Sequence, residues 1–219
     1  MPTVLIVGAS RGIGLGLAKE YRARGWDVVA TVRDPGQHGA ALVALGAQVE
    51  TVDVRDAAAR DALVQQLDGR AFDVAILNAG VGGGARDDAA MLDVIHANAV
   101  GPSRLAQALV GRLTPNTGVL AFITSLMGSI GEGGGGYEAY RASKAALNSF
   151  ARALFAAEGA GRGLAVLSLH PGWVKTDMGG PNAPVSVAES ARGLADVIES
   201  RRGRTEHVFL DHQGRTILW

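Results

Sequence analysis

The sequence predicts an α/β fold built on a parallel sheet. Short β-rich apolar runs alternate with helix-length segments of 3.6-residue apolar period, the pattern of strands joined by crossover helices. The first run, Thr3 to Val7, has the composition of a strand buried on both faces, and it leads directly into a glycine turn at a helix start. No repeat or linker-like stretch interrupts the alternation, so the 219 residues read as a single domain, 1–219.

Composition narrows the function classes. Lys and Arg total 21 and Asp and Glu total 21, so no charge excess argues for nucleic acid or an anionic membrane. The absence of cysteine excludes disulfides, thiolate metal sites and cysteine nucleophiles, and no metal is expected. No apolar run approaches a membrane span, and no basic leader precedes Thr3, so a cytoplasmic location is expected.

Taken in order, the first strand runs into Gly8-Ala9-Ser10-Arg11-Gly12-Ile13-Gly14, and a helix follows from Leu15 to Arg24. A strand, a turn with three glycines and a helix N-terminus cradle phosphate, because backbone N–H groups and the helix dipole favour an anion there. The spacing is Gly-x-x-x-Gly-x-Gly, not the commoner Gly-x-Gly-x-x-Gly. Asp27 to Val32 is the second strand, followed by a short helix ending near Leu45. Ala47 to Val52 is the third and runs into Asp53-Val54. Arg55 to Leu67 is a polar-faced helix, and Phe72 to Leu77 is the fourth strand. That strand ends in Asn78-Ala79-Gly80, and open α/β sheets bind ligands beyond the carboxyl ends of their strands.

A long helix is predicted from Asp88 to Leu113, capped by Asp87 or Asp88. Pro102 has no N–H, so the carbonyl of Asn98 loses its usual donor, and a kink with a free acceptor is expected. Val119 to Thr124 is the fifth strand, ending at Ser125. The glycine run Gly128 to Gly136 predicts a mobile connection to a helix starting near Tyr137 or Glu138. On that helix Tyr140 and Lys144 lie one turn apart. An ammonium beside a phenol lowers the phenol pKa and suits the pair to proton transfer, although a plain helix surface explains an isolated pair equally well. Leu164 to Leu169 is strand six, and His170 after it is expected to be a structural, hydrogen-bonded histidine. Met178 to Val185 is a short loop, Val187 to Ser200 a helix, His207 to Leu210 strand seven, and Thr216 to Trp219 a hairpin arm.

Gly8 to Gly14, Asn78-Ala79-Gly80, Asn98, Ser125, Tyr140-Arg141-Ala142-Ser143-Lys144 and Pro171-Gly172 occur in the order of the short-chain dehydrogenase/reductase family, which the chain resembles from Val4 to about Leu210. Ala30 to Pro35, Tyr140 to Asn148, Pro171 to Met178 and the tail from Gly214 to Trp219 resemble its C-factor and sniffer-type carbonyl reductase branch. The resemblance implies a Rossmann-type, doubly wound sheet of seven mostly parallel strands with helices on both faces. The cofactor half is then about 1–113 and the catalytic and substrate half about 114–219. It implies hydride transfer between a nicotinamide cofactor and a small carbonyl or alcohol substrate. Tyr140 is then the general acid/base, Lys144 lowers its pKa and bonds the nicotinamide ribose, Ser125 polarises the carbonyl, and Asn98 holds a water. The implied cofactor contacts are Gly8, Ser10, Arg11, Gly12, Ile13, Gly14, Arg33, Asp53, Val54, Asn78, Ala79, Gly80, Tyr140, Lys144, Pro171, Gly172, Val174 and Thr176.

Strand two ends at Val32-Arg33, apolar where an NAD-type acid would bind the ribose 2′-hydroxyl. Arg11 and Arg33 are expected to converge on a 2′-phosphate, so NADP(H) is expected over NAD(H), with Asp34 as the complication. Tyr137 lies about two turns from Lys144 and is assigned, with Leu126, Met127, Trp173 and Met178, to the substrate pocket wall. The short loop after Thr176 implies an open site with broad carbonyl tolerance. The family expectation for assembly is a homodimer or homotetramer. The rival reading is a nucleotide-binding signalling protein of the same fold with weak or no turnover.

Overall fold

The computed structural model describes residues 1–84, 87–132 and 134–219. Strands β1 (Thr3–Val7), β2 (Asp27–Val32), β3 (Gln48–Thr51), β4 (Val74–Leu77), β5 (Val119–Ile123), β6 (Ala165–His170) and β7 (Glu206–Asp211) form one sheet. Its order is β3-β2-β1-β4-β5-β6-β7 and every pairing is parallel. Both faces are covered. Val4 and Ile6 of β1 pack into one core with Leu17 and Tyr21 of α1 (Gly12–Ala23) and Leu194 and Ile198 of α8 (Val187–Ser200). Leu5 and Val7 pack into the other with Leu63 of α4 (Ala57–Gln66), Leu105 of α6 (Gly101–Leu109) and Leu147 of α7 (Glu138–Leu154). Alternate side chains of one strand feed opposite cores, which is why the buried strands are apolar at nearly every position.

The chain winds outward from β1 to β2 and β3, then returns to add β4 on the other side of β1. The carboxyl ends of β1 and β4 therefore border the point where the winding reverses, the crevice that open sheets use for ligands. The hairpin arm also forms. Ile217 N–H donates to Phe209 O at 2.9 Å, and Leu210 bridges Thr216 in antiparallel sense.

Some expected boundaries move. The helix expected up to Leu45 divides at Gly39 into α2 (Pro35–His38) and α3 (Ala40–Ala44). Phe72 falls outside β4 because its N–H pairs with Arg112 O, at 2.9 Å, rather than with the sheet. The long helix is α5 (Asp88–Ile95), a π turn over His96–Val100 and then α6. The disturbance expected at Pro102 takes the form of this wider turn. Gly101 N–H reaches back to His96 O, as the ladder adjusts around a proline that supplies no N–H. Gly133, in the connection expected to be mobile, lies outside the described residues. No described helix is long and apolar enough to cross a membrane.

Candidate active site

The crevice is built by close backbone approach. Gly8 has φ +88°, and a Cβ there would stand 2.7 Å from Ala79 Cα. A Cβ at Gly14 would stand 2.1 Å from Gly8 O. Asn78 Nδ2 donates to Gly8 O at 2.6 Å, and the Thr31 hydroxyl oxygen accepts from Gly8 N–H at 3.1 Å. The turn after β1 is thus pinned from both neighbouring strands. At the start of α1 there is no side-chain cap and no acid in the first turn, whereas Asp56, Asp87 and Ser186 cap α4, α5 and α8. The leading N–H groups of α1, with Ser10, Ile13 and Gly14 beside them, are left to another acceptor. Across the crevice, Thr176 Cγ2 lies 3.2 Å from the Cβ position of Gly12, so the loop after β6 meets the glycine turn. Pro171 and Val174 of that loop are buried, and Ser190 of α8 donates to Pro171 O at 2.7 Å.

Asn98, Ser125, Tyr140, Ser143 and Lys144 gather at the ends of β4 and β5. Asn98 is fully buried. Its Oδ1 accepts from Val81 N–H at 2.7 Å, and its Nδ2 donates to Val81 O and to the Ser143 hydroxyl, each at 3.0 Å. The Ser143 hydroxyl in turn donates to the Tyr140 backbone carbonyl oxygen at 2.7 Å. Lys144 is buried, and its Nζ donates to Ile123 O at 3.0 Å and lies 5.6 Å from the centroid of the Tyr140 ring. A Cβ on Gly80 would approach Asn98 Oδ1 to 3.1 Å and Lys144 Nζ to 3.5 Å, so this bare residue is what lets the two side chains flank the turn. The Ser125 hydroxyl oxygen accepts from Met127 N–H at 3.1 Å.

The electrostatics correct one expectation. Burial raises the Tyr140 phenol above its ordinary value, against which a hydrogen bond with Ser125 acts more weakly. The expected lowering by Lys144 is not seen, because burial also pushes that ammonium down to about 8 and the Ile123 carbonyl holds it. His170 is a second correction. Its Nδ1 is buried without a hydrogen-bond partner, and burial followed by the charge of His212 pushes the imidazole down to about 4.

Both arginines expected at a 2′-phosphate are solvent-exposed. Arg11 forms an ion pair with Asp177 of the loop after β6, while Arg33 is exposed at the end of β2. Arg55 binds Asp53 through its Nε at 3.2 Å and its second guanidinium nitrogen at 2.9 Å. Those bonds hold the Asp53 carboxyl below its usual value, with the charge of Arg33 as a smaller contribution. Val54 beside it is buried. Asp34 is turned away from the crevice question, since its carboxylate accepts from Gln37 N–H at 3.2 Å and caps α2.

Of the expected pocket wall, Leu126 and Met127 are half-buried on the turn after Ser125. Met178 Cγ lies 3.4 Å from the Cβ position of Gly82. Trp173 is exposed and donates from Nε1 to Gly179 O at 2.7 Å. Tyr137 is 67% exposed at the head of α7, in a left-handed conformation with φ 57° that favours glycine. Gly83, Thr31, Ser143 and Asp177 were not singled out from the sequence. Gly83 stands against Tyr140, where a Cβ would come to 2.6 Å from Tyr140 Cβ. A hydroxyl inside an apolar strand was a legible signal for Thr31; Asp177 carries no local signal at all.

With the geometry in place, comparison with known proteins is direct. The family model for short chain dehydrogenase matches residues 2–184. The C-signal protein of Myxococcus xanthus is 40% identical over 156 residues, covering 67% of this chain and 92% of its own. A Burkholderia multivorans short-chain dehydrogenase/reductase crystallised with NADP is 40% identical with a TM-score of 0.93, over 100% of this chain and 99% of its own. A carbonyl reductase from Pseudomonas aeruginosa PAO1 in complex with NADP is 39% identical with a TM-score of 0.89, over 100% of both chains.

Proposed function

The chain belongs to the short-chain dehydrogenase/reductase family, and we propose that it is an NADP(H)-dependent carbonyl reductase in which Tyr140 is the general acid/base. The observation that supports this reading is the gathering of Ser125, Tyr140, Lys144 and Asn98 beside the glycine-lined crevice. The crevice suits a dinucleotide: the uncapped start of α1 receives phosphate, and Gly8, Gly12 and Gly14 let the neighbouring segments pack closely enough to shape the turn around it. Asn78, Ala79, Gly80, Asp53, Val54, Pro171, Gly172, Val174 and Thr176 line the remaining contact positions. When bound, the cofactor supplies the hydride.

The protein's own residues handle the proton. Burial keeps the Tyr140 phenol protonated, the form that reduction of a carbonyl requires. Ser125 donates to the carbonyl oxygen and polarises it without ionising. Tyr140 then gives its proton to the same oxygen as negative charge develops there. Lys144, charged at neutral pH because about 8 is still above it, offsets the phenolate that results. Asn98 fixes Val81, and so the Gly80 turn, over this cluster.

Preference for NADP(H) rests on three points. Arg33 is exposed at the end of β2 and forms no ion pair among the described residues, the carboxylate of Asp34 is engaged as a cap, and two solved relatives hold NADP. The same reading takes 1–219 as one domain, with a small carbonyl or alcohol as substrate and a cytoplasmic homodimer or homotetramer as the working form. A monomer in sedimentation would end the last expectation. The test of the function is an NADPH-oxidation screen over aldehydes, ketones and quinones, repeated with NADH at matched concentration. Turnover of at least one carbonyl, faster with NADPH, is the expected result; equal or better turnover with NADH overturns the cofactor assignment. The likeness to C-signal favours a second reading, in which the site serves nucleotide recognition in signalling. Nucleotide binding without turnover of any carbonyl or alcohol would select it.

A further inference from the structure

Arg11 stands between two destinations on opposite sides of the glycine turn. On the β6 side it pairs with Asp177, the one hydrogen-bonded contact between the turn and the 173–180 loop among the described residues. On the other side is the end of β2. Ala9 N–H donates to Thr31 O at 2.8 Å, and Gly8 N–H donates to the Thr31 hydroxyl oxygen at 3.1 Å, so the turn rests against that strand end. Arg33 follows Thr31 by two residues and is exposed there, where this fold reads the 2′-substituent of a ribose. In the sheet, β2 and β6 are four places apart, about 19 Å at the usual strand spacing. One guanidinium serves one side at a time.

The loop that holds Asp177 is a preformed unit. Thr176 accepts from Gly179 N–H through its hydroxyl oxygen at 3.1 Å and from Gly180 N–H through its carbonyl oxygen at 2.8 Å. Trp173 Nε1 closes the unit onto Gly179 O at 2.7 Å. Gly172, with φ +87°, and Gly180, with φ +77°, stand at its two ends. The Asp177 carboxylate is therefore presented to the crevice by the backbone, yet its side chain is 75% exposed and that of Arg11 68%. An ion pair so open to water is weak and exchangeable. A phosphate dianion carries twice the charge of a carboxylate and displaces it from a guanidinium.

Resting on the NADP(H) assignment above, we propose that Asp177 is a positioning residue that sets cofactor preference through Arg11. Its carboxylate competes with the 2′-phosphate for the guanidinium. Without cofactor, Arg11 ties the 173–180 loop to the glycine turn. NADPH draws Arg11 to the β2 side, beside Arg33, and the pair with Asp177 breaks. NADH lacks the 2′-phosphate and leaves the pair intact. Asp177 thus lowers affinity for NADPH alone and narrows the NADPH:NADH ratio.

Dissociation constants for NADPH and NADH, from fluorescence titration at fixed low ionic strength, test the assignment. Asp177→Asn should tighten NADPH about three-fold, the scale of one exposed ion pair, and leave NADH unchanged. Asp177→Glu, which restores the carboxylate, should return NADPH to the wild-type value. Arg11→Gln should weaken NADPH and abolish the effect of Asp177→Asn. Loss of packing would weaken both cofactors, so tightening of one separates competition from structural damage. Weaker or unchanged NADPH binding in Asp177→Asn overturns the proposal, as does equal tightening of NADH. Tightening that persists with Arg11→Gln also overturns it, since the lost charge would then act without Arg11. A wild type that binds NADH as tightly as NADPH ends the cofactor assignment itself, whereas NADPH preference with a flat Asp177→Asn result ends only this inference.

Discussion

Replacing Lys144 with Met should make the cofactor-free protein more stable while removing its turnover. The ammonium is buried among the ends of β5 and α7, where its only hydrogen-bond partner among the described residues is Ile123 O at 3.0 Å. Burial lowers its pKa from 10.5 to about 8. At about 1.4 kcal/mol per pH unit, that displacement is a penalty of about 3 kcal/mol on the folded state at neutral pH. Met removes the charge, fills similar space and forfeits one hydrogen bond, which offsets about 1 kcal/mol. The net gain is about 2 kcal/mol. The sign follows from proton counts. Between pH 8 and 10.5 the unfolded chain binds the proton that the folded chain has released, so wild-type stability rises with pH there. The advantage of Met is therefore complete below pH 8 and is lost as pH climbs through that window. Urea unfolding of both proteins at pH 7 and pH 10, without cofactor, measures it. A Met variant no more stable at pH 7, or one whose advantage is undiminished at pH 10, refutes the reasoning.

Other perturbations probe the rest of the site. Asn98→Ala removes three hydrogen bonds and strands Val81 N–H, so it should cost about 3 kcal/mol in chemical denaturation and lower kcat with it. Arg33→Ala should raise the KM for NADPH about ten-fold and leave that for NADH unchanged; Asp34→Ala should cost about 1 kcal/mol as a lost cap without altering the NADPH:NADH ratio in steady-state kinetics. Gly83→Ala would drive a Cβ to within 2.6 Å of Tyr140 Cβ. Its kcat should fall about ten-fold or more with NADPH affinity retained, measured by turnover and fluorescence titration.

What could be read from the chain divides along physical lines. β1 at Thr3–Val7 and α8 at Val187–Ser200 match the sequence expectation to the residue, because a buried apolar run and a Ser186 capping box are local signals. The glycine turn, Ser125 and the Tyr140–Lys144 pair were equally legible as spacing. The parts that were not legible depend on partners far along the chain. Arg11 finds Asp177, 166 residues away. Pro102 signalled a disturbed helix, but the form it takes, a π turn over His96–Val100, carries no local signal. The direction of the Tyr140 shift was not legible, because helix spacing says nothing of burial, and burial raises the phenol where a lowering was expected. The helix expected up to Leu45 divided at a glycine that periodicity alone does not weigh.

Tyr140→Phe bears most directly on the central claim, since it keeps the ring while deleting only the transferable proton. With the best carbonyl from the NADPH screen, turnover should fall about a thousand-fold, the contribution of a well-placed general acid. NADPH binding, followed by its fluorescence, should stay within about two-fold of wild type, because the deleted hydroxyl is one contact among many. Turnover within about ten-fold of wild type, with NADPH bound normally, would mean that another group delivers the proton and would contradict the account.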